Sequence, residues 1–124
     1  MKVKTSELQG ATLDWAVAKC VDDGLADFTA AGWRFTPSTD WAQGGPIIER
    51  EGILLRPIRK EGHQMNGQWL AMYDETNTGT MVQWVKRKDF PGHYHTGPTP
   101  LIAAMRCYVA SKLGDEVDVP EELL

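Results

Sequence analysis

The stretch Gly97-Pro98-Thr99-Pro100-Leu101-Ile102-Ala103-Ala104-Met105-Arg106-Cys107-Tyr108-Val109, continuing to Leu113 and Gly114, decides the fold. Thr99 can accept a hydrogen bond from an otherwise unpaired amide, Pro100 suits the first helical position, and Gly114 suits the C-terminal cap. These signals predict a helix over Pro100 to Leu113. Within it Leu101, Ile102, Met105, Tyr108, Val109 and Leu113 lie on one broad apolar face, suited to packing across a small twisted sheet.

The sheet is expected just upstream. Ile53 to Arg59, Gln68 to Tyr73 and Thr80 to Arg87 are rich in β-branched, aromatic or long apolar residues and are separated by Gly-containing polar segments. They read as an antiparallel meander over about residues 53–87, with Gln68–Tyr73 paired to Thr80–Val85. Pro57 cannot donate to a ladder, so the first strand is an edge or is broken there. Further back, Leu13, Val17, Cys20 and Val21 share one helical face and predict a helix over about 11–22. Ser6-Glu7-Leu8-Gln9 matches a capping box, and Gly24 lies where a terminator is expected. Trp15 projects from another side of this helix and reads as a partly buried edge residue. Residues 25–50 lack a sustained period and read as irregular, with one short strand at Trp33 to Thr36. The acidic tail, 115–124, reads as a surface arm. The expected class is α+β: a small antiparallel sheet of about three to four strands against N-terminal and C-terminal helices, in one domain.

Composition excludes several functions. The chain has 124 residues, 42% hydrophobic and 24% charged, near the average for a globular domain. Thirteen basic against seventeen acidic residues leave a net charge of −4, so strong binding of duplex nucleic acid is not expected. The apolar run around Pro100 to Met105 is far shorter than the roughly 18 residues of a membrane span, and the start lacks a secretory h-region. A cytoplasmic location follows as the expectation. Cys20 and Cys107 read as small buried hydrophobes.

Three blocks then stand out in order: Met1-Lys2-Val3-Lys4-Thr5-Ser6-Glu7-Leu8 running into Leu13-Asp14-Trp15-Ala16-Val17-Ala18-Lys19; Pro37-Ser38-Thr39-Asp40-Trp41-Ala42-Gln43-Gly44-Gly45-Pro46-Ile47-Ile48-Glu49-Arg50-Glu51; and Gly97 to Val109. Together they closely resemble the NinX family of small proteins from tailed phages and prophages. Between Leu54 and His95 nothing carries the resemblance. It implies a phage accessory context and supplies no catalytic residues.

The most suggestive chemistry lies in two Gly/Pro-rich segments. Gly44-Gly45-Pro46 allows close backbone approach, and Gly97-Pro98-Thr99-Pro100 opens a helix whose free amides can receive an anion. Trp41 and Tyr94 offer faces for a base to stack on, Arg50 or Arg106 can neutralise a phosphate, and Thr39, Asp40 or Gln43 can read polar edges. The candidate ligand set is therefore Thr39, Asp40, Trp41, Gln43, Gly44, Gly45, Arg50, Tyr94, Thr99 and Arg106. Caps and tight turns use the same residue types without any ligand. No P-loop or dinucleotide fingerprint is present.

Other motifs are weaker. His93 and His95 have a spacing compatible with a metal, but two ligands are too few, so no metal and no cofactor are expected. Glu49 and Glu51 share a face only in an extended segment. Lys86-Arg87-Lys88, flanked by Trp84 and Phe90, reads as a solvated strand end. No dedicated nucleophile and base are visible. The functional expectation is a non-enzymatic binder of a small anionic, nucleotide-like ligand, serving anti-defence by sequestering a host metabolite or immune signal. The alternative is a protein-interaction module docking a host or phage protein through exposed Trp side chains. Either can use a homodimer.

Overall fold

The computed structural model describes residues 1–30, 34–73 and 94–124. Among the described residues four α-helices and two small antiparallel sheets make the fold α+β. The helices are α1 (Gly10–Val21), α2 (Asp23–Ala30), α3 (Trp41–Glu51) and α4 (Pro100–Leu113). The strands are β1 (Lys2–Lys4), β2 (Ile53–Pro57), β3 (Trp69–Tyr73), β4 (Tyr94–Gly97) and β5 (Glu116–Asp118). One sheet runs β2-β3-β4 and the other is the two-stranded ribbon β1-β5.

The helix that organises the core has the limits its sequence predicts. Thr99 Oγ1 accepts the Ile102 amide at 3.2 Å, Pro100 occupies the first turn, and Gly114 closes the end with φ +87°. Leu101, Met105, Tyr108 and Val109 are buried as expected, while Ile102 and Leu113 are only half-buried. Ala103, Ala104 and Cys107 are buried as well. The cause is that α4 packs against all three strands of the larger sheet and also against α1 and α3. Small residues on its second side admit those helices closely. Each fully buried Leu, Val or Met adds about 1.5–3 kcal/mol to such a core.

In the larger sheet β3 is central. Ile53 pairs with Tyr73 and Pro57 with Trp69 on one side; Trp69 pairs with Gly97 and Met72 with Tyr94 on the other. The edge of β3 that the sequence reading assigns to Thr80–Val85 is thus taken by β4. The expected strand at 80–87 itself lies outside the described residues. Ile58 donates its amide to Gln68 O at 2.8 Å, and ladder bonds alternate along an antiparallel pair. By that alternation Arg56 and Leu54 point their backbone groups at β3, and Pro57 points away. Pro57 therefore removes a donor only from the outer side of an edge strand, the position where proline is tolerated.

Five expectations about the first half need correction. Residues 25–50 are not irregular but largely helical, as α2 and α3. Gly24 does not terminate α1: Asp22 ends that helix, takes the Gly24 amide on Oδ1 at 2.8 Å, and the chain enters α2 at once. Residues 34–36 form no strand, while Trp33 lies outside the described residues. The capping box at Ser6 to Gln9 is not made either. Thr5–Glu7 is a 3-10 turn, and Gln9 stands at the N-cap of α1 without a side-chain bond to its amides. Trp15 is buried rather than at an edge, with the Lys19 ammonium 5.2 Å from its ring centroid.

The acidic tail is likewise no surface arm. Val3 faces Val117 across the β1-β5 ribbon, and Lys2 and Lys4 stand opposite Asp118 and Glu116. Val117 and Val119 are buried in the main core. Strand alternation turns the valines inward and leaves the charged residues on the outer face.

Candidate functional site

The two Gly/Pro-rich segments do meet, but as packing. Asp40 caps α3, its Oδ1 accepting the Ala42 amide at 2.9 Å, and its carbonyl accepts the Gly44 amide at 2.9 Å. Gly44 and Gly45 therefore lie inside a helix, not in a turn, and the Gly44 amide is already committed. A Cβ on Gly44 would stand 2.7 Å from Leu101 Cδ2 and would collide with Pro37 O. A Cβ on Gly97 would lie 2.8 Å from the Ala103 nitrogen. Both glycines are the condition for close approach of α3 and β4 to α4. Pro46 and two glycines oppose helix formation locally, and the burial of Gly44 and Ile47 in the contact overrides them.

The remaining candidates are scattered. Gln43 Oε1 accepts the Thr36 amide at 2.6 Å, and Thr39 is exposed in the turn before α3. Thr99 serves as the cap of α4. Arg106 is buried, donating from Nε to Leu8 O and from Nη1 to Thr96 O, each at 2.8 Å. It clamps three segments of the chain. Arg50 sits at the far end of α3 from Trp41, about 14 Å along the axis, and lies 3.5 Å from Glu51. Trp41, 55% exposed, and Tyr94, 41% exposed, present surface. Glu49 is exposed, whereas Glu51 accepts a hydrogen bond from the Tyr73 hydroxyl at 3.2 Å, so the two carboxylates diverge as a helix requires.

The thiols of Cys20 and Cys107 are not disulfide-bonded, and burial pushes both up to about 12, which keeps them protonated and unreactive. Among the described residues no group of His, Cys, Asp and Glu is gathered for a metal, and no helix is long and apolar enough to cross a membrane. His93, Trp84, the Lys86-Arg87-Lys88 run and Phe90 lie outside the described residues.

A groove of about 490 Å³ opens elsewhere on the surface. Tyr94, His95 and Thr96 of β4 form one wall, with Met65 from the turn before β3. Lys4 and Ser6 come from β1 and the turn after it, and Asp115 and Glu116 from the entry to β5. Lys4 and Glu116 are cross-strand partners, so they share one face of the ribbon. Yet among the described residues Lys4, Asp115 and Glu116 form no ion pair with one another. Burial holds the His95 imidazole below its ordinary value, so it is neutral at pH 7, and its buried Nε2 has no hydrogen-bond partner. Of the residues singled out from the sequence as ligands, only Tyr94 lines this groove. Lys4, Ser6, Met65, Asp115 and Glu116 were missed because they come from segments far from Tyr94 in the chain.

Fold and groove together define a small α+β domain with a groove beside its sheet. The family model described as Bacteriophage P22, NinX matches residues 4–112, and the chain belongs to that family. The match runs through the middle of the chain, where the sequence reading saw no resemblance. No curated protein was found to match the chain.

Proposed function

We propose that this NinX-family protein is a non-enzymatic phage accessory protein that binds a small nucleotide-like molecule in the groove beside β4. The observation that carries the reading is the groove itself. Its volume of about 490 Å³ falls within the usual span for small-molecule sites. An aromatic face, a thioether, two hydroxyls and charges of both signs converge on it. Tyr94 supplies the surface on which a base stacks, Lys4 and Ser6 the groups for a phosphate. This moves the site away from the glycine segments, whose amides serve the helices. Sequestering a host metabolite or immune signal is the role that suits a binder of this kind in a phage.

The test is calorimetric titration with a panel of nucleosides and nucleotides, cyclic and ADP-ribose-type ones included. Tyr94→Ala is expected to weaken binding by about 1–3 kcal/mol, the ordinary loss of a stacking face. Silence across the panel overturns the reading.

A second reading rests on Trp41, whose side chain is 55% exposed at the start of α3. Aromatic residues of this kind anchor protein interfaces. It predicts that Trp41→Ala abolishes capture of a phage or host protein and leaves small-molecule titrations unchanged.

A further inference from the structure

We infer that the groove selects nucleosides and nucleoside monophosphates over the corresponding di- and triphosphates. The inference rests on the ligand reading above and adds the charge class of the ligand. Three ionised side chains line the recess: Lys4, Asp115 and Glu116. The fourth titratable wall, His95, adds no positive charge, because burial and the neighbouring Arg106 outweigh the attraction of Asp115. The described residues of the lining are therefore net negative by one charge.

That balance has a chemical meaning. A single ammonium matches one phosphate, and the Ser6 hydroxyl beside it can donate to a phosphate oxygen. Two carboxylates are acceptors only, so they suit the hydroxyls of a ribose or the amino and imino groups of a base. They do not suit further phosphates. Each added phosphate brings more negative charge against Asp115 and Glu116, with no second cation among the described residues that line the groove. At separations of several ångströms near a protein surface such repulsion is worth roughly a tenfold loss of affinity per added phosphate. Sites built for di- and triphosphates have the opposite composition, with several backbone amides and cations around the chain of phosphates.

The absence of a Lys4–Glu116 ion pair strengthens the point. These side chains stand opposite each other across the ribbon and still form no ion pair. Both remain available to a ligand, one for its acidic end and one for its donors.

The experiment titrates the full chain with adenosine, guanosine, cytidine and uridine and with their 5′-mono-, di- and triphosphates, in buffer containing a chelator so that no divalent cation masks phosphate charge. The expected order for the best base is monophosphate tightest, nucleoside next, with diphosphate about tenfold and triphosphate about a hundredfold weaker than monophosphate. Lys4→Ala is expected to bring the monophosphate down to the nucleoside. Asp115→Asn with Glu116→Gln is expected to raise triphosphate affinity and flatten the order; both side chains are exposed, so the fold is retained, and circular dichroism checks it. A triphosphate that binds as tightly as the monophosphate to the unmodified protein overturns the inference and leaves the ligand reading standing. An order unchanged by the double substitution also overturns it. Silence with every compound overturns both.

Discussion

Gly44 and Leu101 touch so closely that a methyl group on the glycine would lie 2.7 Å from Leu101 Cδ2. The contact joins the start of α3 to the first turn of α4, and it gives Gly44 a packing role in place of a ligand role. Gly44→Ala is therefore expected to destabilise the protein by about 2 kcal/mol, the usual cost of overfilling a packed contact. Gly45 is the control. A Cβ there meets only Trp41, at 3.9 Å, and Gly45→Ala should stabilise by up to about 1 kcal/mol through helix propensity. Urea denaturation of both variants checks the pair, and equal midpoints would remove the packing assignment.

Arg106 illustrates the same exchange of role. Its guanidinium satisfies Leu8 O and Thr96 O from the interior, joining the segment before α1 and strand β4 to α4. Arg106→Met retains the stem but leaves two carbonyls without their donors. A loss of about 3 kcal/mol is expected, in line with removing charge-assisted bonds to buried acceptors. Arg106→Lys should recover little, since a single ammonium cannot reproduce the planar fork. A denaturation midpoint unchanged in the Met variant would refute the clamp.

Asp14 gives a pH signature. Its Oδ1 accepts the Ser38 amide at 2.9 Å, tying α1 to the turn before α3, yet burial outweighs that bonding and lifts the carboxyl above 3.8. The folded chain holds this proton more tightly than the unfolded one. Its stabilising effect is therefore complete below the unfolded value and is lost as pH rises through the folded value. Asp14→Asn keeps an acceptor for Ser38 and removes the charge. The stability of the variant relative to the parent is expected to improve between about pH 3 and about pH 7, and a constant difference across that range would be inconsistent with it.

What could be read from the sequence was local. Thr99, Pro100 and Gly114 act within one turn of the helix they bound, so α4 has its predicted limits. Pro57 likewise places β2 at an edge by its missing donor alone. Helix α3 was hidden because Gly44, Gly45 and Pro46 each argue against it, and what compensates is contact with Leu101, some sixty residues on. The β1-β5 ribbon had a signal that went unused: Lys2-Val3-Lys4 and Glu116-Val117-Asp118 are complementary in charge around a central valine. The groove depends on that ribbon, so missing the pairing meant missing Lys4, Asp115 and Glu116 as neighbours of Tyr94. Of its other members, His95 stood out only for a metal-like spacing with His93, and Ser6, Met65 and Thr96 have no local motif that points to a ligand.

Trp41 separates the two functional readings most cleanly. It stands at the first position of α3 with 55% of its surface exposed, so truncating it removes few buried contacts. Trp41→Ala is expected to shift stability by no more than about 0.5 kcal/mol, the range of an ordinary surface substitution. It lines no part of the groove, so nucleotide titrations should match the parent, while Tyr94→Ala loses affinity. Had the base stacked on Trp41, as the sequence suggested, the ranking of the two variants would reverse. Loss of binding in Trp41→Ala with Tyr94→Ala intact would return the ligand to the start of α3. If both variants titrate like the parent and only Trp41→Ala loses a protein partner, the exposed indole is an interface anchor and the protein acts by docking.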